Sequence, residues 1–162
     1  MNMKKFFLKT LLCFTVFLSL SSFLSAQSAS FFTTVYEAET LTWEQAAFLA
    51  MAGTERVSDS VSPNVAWEAL SKTQWYTNIP QRDAPITASQ FSYLLAMAFN
   101  VKGGLWFTLF RSERYAYREM VFKKVVPGST DPGSTLKGTD AMKILEKAIA
   151  YFPLESEAEG GN

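Results

Sequence analysis

Apolar residues recur at intervals of three and four along five stretches of the chain, and each stretch predicts a helix. Over residues 41–52 the stripe is Ala46, Leu49 and Ala50 with Phe48; over 64–73 it is Ala66, Trp67, Ala69 and Leu70. Over 86–100 it is Phe91, Leu94, Leu95 and Ala98. From Arg114 onward Ala116, Met120 and Val121 face inward with Tyr117 beside them. Before Tyr151 the stripe is Ala141, Ile144, Leu145, Ala148 and Ile149. Thr42 with Gln45, and Thr87 with Gln90, have the spacing of a capping box, in which each side chain satisfies an otherwise unpaired amide at a helix start. Gly53 is expected to end the first helix. Pro127-Gly128 and Pro132-Gly133 stop the fourth and turn the chain into the fifth. Two apolar stretches lack helical spacing. Phe31 to Tyr36 is β-prone and reads as an extended strap laid on the core. Leu105 to Phe110 reads as a buried strand or a helix start, which periodicity does not separate.

The helix starts align with one another. Leu41-Thr42-x-x-Gln45-Ala46-x-x-Leu49 matches Ile86-Thr87-x-x-Gln90-Phe91-x-x-Leu94, and Leu136-x-x-x-Asp140-Ala141-x-x-Ile144 follows without the cap. The intervening helices align too, Ala66-Trp67 with Ala116-Tyr117 and Leu70 with Met120. The expected fold class is all-α for the most part, one domain of degenerate helix-loop-helix repeats with units at about 41–85, 86–135 and 136–152.

This pattern resembles the S-layer homology module. In that family an aromatic-Ala-Tyr helix leads through a Gly turn and a Pro/Gly loop to an Ile/Leu-Thr-Arg-Ala-Glu helix start. Tyr115-Ala116-Tyr117, Val125-Val126, Gly128, Asp131-Pro132 and Leu136 follow that order, and Leu41-Thr42 and Ile86-Thr87 match the helix start. The resemblance covers residues 41–152, most fully at the last unit. It implies units set around a pseudo-threefold axis that grip cell-wall polysaccharide without catalysis. Trp43, Ala88 and Gly138 stand where the family has an Arg that carries much of its polymer binding, and the third unit lacks its second helix. The resemblance therefore speaks for the scaffold more than for the ligand.

The amino terminus changes the arithmetic. Lys4, Lys5 and Lys9 precede an apolar run from Leu11 to Leu18, and small residues from Ser22 to Ala26 follow. This predicts a signal peptide over residues 1–26, cut after Ala26. The run is short and broken by serines, which disfavours a retained membrane helix. Cys13 lies mid-run behind Thr10-Leu11-Leu12, which is no place for a lipid-modified cysteine. The remaining 136 residues carry 12 basic and 15 acidic side chains, a net charge of −3, and no cysteine. That suits one secreted domain with no disulfide frame, and it argues against a nucleic-acid binder. Residues 27–40 read as a lead-in, and 153–162 as a disordered tail. The expected location is the periplasm or the cell envelope, with no stable membrane insertion once the leader is gone.

Candidate chemistry is sparse. The chain has no His, which removes Ser-His and Cys-His pairs and His-bound zinc. Gly103-Gly104 alone makes no phosphate loop. Asp131-Pro132-Gly133 lacks the alternating carboxylates of a calcium loop and reads as a turn held by the Asp side chain. Glu113 and Glu119 share one helix and do not face each other across a cleft. No enzyme, cofactor or metal is expected. Aromatic and arginine residues remain as candidate ligand contacts: Trp75, Arg82, Trp106, Arg111, Arg114 and Tyr117, with Tyr115 and Arg118 beside them. Rings stack on sugar faces, and guanidinium groups bind carboxylate or phosphate. Two readings follow: a module that binds cell-wall glycan or an associated polymer, and a protein-interaction subunit of an envelope assembly. Convergence of these side chains in one groove between units favours the first, and a flat exposed apolar patch favours the second.

Overall fold

The computed structural model describes residues 30–152. The expected signal peptide and the expected tail lie outside the described residues. The regular structure within them is helical: residues 30–37 (α1), Trp43–Gly53 (α2), Pro63–Ser71 (α3), Ala88–Ala98 (α4), Leu105–Leu109 (α5), Glu113–Phe122 (α6) and Gly138–Tyr151 (α7). Helix α3 packs on α2, and α6 packs on α4, while α2, α4 and α7 meet one another in the centre.

Both predicted capping boxes form. Thr42 accepts the Gln45 amide at 3.3 Å while Gln45 takes the Thr42 amide at 2.9 Å; Thr87 and Gln90 do the same at 3.3 and 3.0 Å. At α7 the N-cap is Lys137, which provides no side-chain cap. Three backbone bonds near these starts close a ring. The Leu41 amide donates to Leu136 (2.7 Å), Leu136 to Ile86 (3.3 Å) and Ile86 to Leu41 (3.0 Å). All three side chains are buried, so one short cycle at the middle of the core ties together segments from the beginning, middle and end of the fold. Single antiparallel bridges flank it, Thr42 with Pro85 and Thr87 with Thr135.

Several expectations are corrected. Residues 30–37 are helical, not an extended strap. Phe31 and Phe32 pack edge-on against Phe48, at centroid distances of 4.8 and 5.3 Å, and Val35 is fully buried. Packing of this apolar face outweighs the low helix propensity of Thr33, Thr34 and Val35. Of the two readings of Leu105 to Phe110 the helical one holds, over Leu105–Leu109, but only Phe107 is buried and the other large apolar side chains turn outward. Gly53 is the last residue of α2 and does not make the left-handed stop; Glu55 does, with φ 55°, as do Asn100 and Lys124 after α4 and α6. Amides just beyond reach back five residues, Arg56 to Met51, Val101 to Ala96 and Val125 to Met120, each at 2.9 Å. Gly53 is small because Leu145 of α7 lies 2.8 Å from where its Cβ would stand. Ile149, expected in the stripe of α7, is 45% exposed.

Candidate functional site

Helices α2, α4 and α7 are each preceded by a segment that lies along them, and what fills each interface is decided by one position. The sixth residue after the N-cap is Phe48 in α2, Tyr93 in α4 and Lys143 in α7. Phe48 meets Phe31 and Phe32 of α1. Tyr93 meets Tyr76 at 5.3 Å, Tyr76 meets Trp43 at 5.3 Å, and the Tyr93 hydroxyl donates to the Trp75 carbonyl at 3.1 Å. Burial raises the pKa of both tyrosines, and the Tyr76 hydroxyl is buried with no hydrogen-bond partner. Lys143 has no ring against it. A groove of about 520 Å³ opens instead between residues 127–136 and α7, a volume suited to a small ligand.

The groove has a mixed lining. Leu136, Ile144 and Ala150 give it an apolar floor; Ser129, Thr130, Ser134 and Thr135 present hydroxyls; Lys143 and Lys147 face Asp140 and Glu146 along α7. Lys143 stands 3.8 Å from Asp140, a loose and exposed pair. The loop wall is fixed in place. The α4 amides of Ala88 and Ser89 donate to the carbonyls of Ser134 and Pro132, at 2.9 and 3.0 Å. The Tyr117 hydroxyl donates to the Thr130 carbonyl. The turn at Asp131 closes through its carbonyl, which accepts the Ser134 amide at 3.1 Å and the Ser134 hydroxyl at 2.7 Å. The expected brace from the Asp131 carboxylate does not form, because the nearby serine bonds the backbone instead.

The six residues singled out in the sequence do not gather in one groove. Tyr117 supports the groove wall. Trp75 lies between α3 and α4 with the Arg56 guanidinium 5.2 Å from its ring. Arg82 is held by Glu44 and by Asn64 Oδ1 at 2.8 Å, tying the segment before α4 to α2 and α3. Trp106, Arg111 and Arg114 lie on or beside α5 and α6. There Trp106, Phe110 and Tyr115 form a triangle of near-parallel rings with centroids 5.9–6.3 Å apart. Leu105, Trp106, Leu109, Phe110 and Phe122 are each more than half exposed. Trp106, Tyr115, Arg118 and Phe122 line one shallow depression, so this is a continuous face. Sequence reasoning missed Lys143, Lys147 and the hydroxyls of residues 129–135. Their signal was available: the aromatic residue at the sixth position after the cap is replaced by lysine at the third helix.

Among the described residues no three His, Cys, Asp or Glu side chains are placed to hold a metal ion, and no helix is long and apolar enough to cross a membrane. Compared with protein-family models, curated proteins and solved structures, the chain matches none.

Proposed function

We propose that the protein is a non-enzymatic, exported module of the cell envelope that binds cell-wall glycan or an associated polymer in the groove between residues 127–136 and α7. One observation carries this reading. Of three helices that each receive a neighbouring segment, two have an aromatic contact that fills the interface, and the third has Lys143 and an open, hydroxyl-lined groove. Hydroxyls and lysines on a pre-formed wall suit a polyhydroxylated chain bearing carboxylate or phosphate, and the apolar floor suits a sugar face. The hydrogen-bonded ring of Leu41, Ile86 and Leu136 supports a degenerate threefold repeat, and so supports the resemblance to the S-layer homology module. The lysines then stand in for the Arg that this chain lacks at Trp43, Ala88 and Gly138.

The test is co-sedimentation of the protein with purified cell-wall sacculi. Wild type is expected in the pellet. Lys143→Ala/Lys147→Ala is expected to weaken binding about tenfold, and Lys143→Phe, which fills the groove with the ring the other two helices have, is expected to remove it. Both lysines are exposed, so the fold is spared. A folded wild type that stays in the supernatant across sacculi with and without attached polymers sinks the proposal. The alternative, a protein-interaction subunit, is favoured by the exposed apolar face of α5 and α6.

A further inference from the structure

We infer that the aromatic face of α5 and α6 is an interfacial anchor that lays the protein on an anionic lipid surface. Exposed Leu105, Trp106, Leu109, Phe110 and Phe122 are the side chains that partition into the boundary between headgroups and acyl chains. Their exposure is hard to reconcile with water alone, since small domains rarely leave five large apolar side chains together in solvent.

Charge selects the occupant. Residues 102–124 hold six basic side chains against two acidic ones, a net +4 in a chain whose total is zero. Neither acid forms an ion pair with Arg111, Arg114 or Arg118. Glu119 pairs with Lys123 at 3.3 Å and accepts the Gly104 amide at 3.1 Å, and Glu113 is partly buried. Arg111, Arg114 and Arg118 are exposed and form no ion pair with a described residue. Arg114, Arg118 and Phe122 are spaced four apart on α6 and therefore share one stripe, and Arg118 lines the same depression as Trp106 and Phe122. An apolar centre with a basic rim complements a bilayer that carries anionic headgroups. A protein partner would need to match an uncompensated cationic rim as well as a flat apolar face; an anionic bilayer does so without a specific sequence. This adsorption differs from insertion, for which no described helix is long enough. The depression on this face shares no lining residue with the groove between residues 127–136 and α7.

The probe is a vesicle of phosphatidylglycerol and phosphatidylcholine, with phosphatidylcholine alone as the neutral control, and the protein is the full chain throughout. Any affinity of the leader is then common to all variants. Wild type is expected to bind the anionic vesicles at least tenfold better than Arg114→Ala/Arg118→Ala, and the difference should shrink in high salt. Brominated lipid should quench a component of the tryptophan fluorescence that disappears in Trp106→Phe, while that conservative variant still binds. Equal vesicle binding by wild type and the arginine variant overturns the proposal, as does a Trp106 that lipid bromine does not quench. A stoichiometric protein complex that the arginine variant loses, in the absence of vesicle binding, overturns it in favour of a protein partner. Circular dichroism confirms that each variant is folded.

Discussion

At the scale of single residues, two positions are fixed by what surrounds them. Gly138 opens α7 with its amide on the Ala38 carbonyl at 2.8 Å, and a Cβ there would lie 1.5 Å from the Val35 carbonyl oxygen. That neighbour is backbone and cannot swing aside. Gly138→Ala should therefore cost about 3 kcal/mol in chemical denaturation, the upper end of overpacking penalties. Gly53→Ala should cost clearly less, because the methyls of Leu145 that it meets belong to a flexible side chain. Glu113 is fixed by burial, which raises its carboxyl pKa. An acid whose pKa is raised on folding holds its proton more tightly in the folded state, so its charge opposes folding above that pKa and not below its unfolded pKa. Glu113→Gln should raise the melting temperature at pH 7, and the advantage should vanish on acidification through the carboxylate range. An equal gain at pH 7 and pH 3 would assign the effect to packing.

At the scale of elements, helix starts were legible and their surroundings were not. The Thr-x-x-Gln spacing is local, so Thr42 and Thr87 revealed their caps in the sequence. Each Thr→Ala variant should cost about 1 kcal/mol. Helix α7 has no such cap, and Lys137→Thr should supply one. It would lose the exposed Lys137–Glu39 pair, whose 2.6 Å contact is worth little in solvent, and a thermal melt should show a net gain. The helical state of residues 30–37 was not legible because Phe48, eleven or more residues away, decides it. The same holds for Leu105 to Phe110, where an apolar run records what a surface contacts as readily as what a core buries. Of the six candidate contacts, Trp106, Arg111 and Arg114 fall on or beside one face because α5 and α6 adjoin in sequence. Trp75, Arg82 and Tyr117 are drawn away by partners that only folding supplies.

At the scale of the whole molecule, the apolar stripes made a mostly helical fold legible, whereas the central ring left no signal beyond three aliphatic residues before helix starts. Each of its bonds joins residues at least 45 positions apart. Local stability should therefore be hard to separate from global stability. Ile86→Ala, which empties a fully buried site within the ring, should cost about 2–5 kcal/mol. Urea unfolding followed by far-ultraviolet circular dichroism and by tryptophan fluorescence should still give coincident transitions. Separate transitions for the α2–α3 and α4–α6 pairs would show that the ring does not couple them. Such long-range closure also predicts slower folding than in a bundle of sequential hairpins.

The bonds from Leu41 to Leu136 and from Gly138 to Ala38 lie side by side and run between opposite ends of the described chain. Mechanically, that arrangement is a clasp. The pairing is antiparallel, Ala38 opposite Gly138 and Leu41 opposite Leu136, so tension drawn through the two ends loads the Gly138–Ala38 bond first and the Leu41–Leu136 bond after it. Pulled by its two ends, the clasp would open bond by bond, as a zipper does, at a lower force than the same bonds would bear in shear.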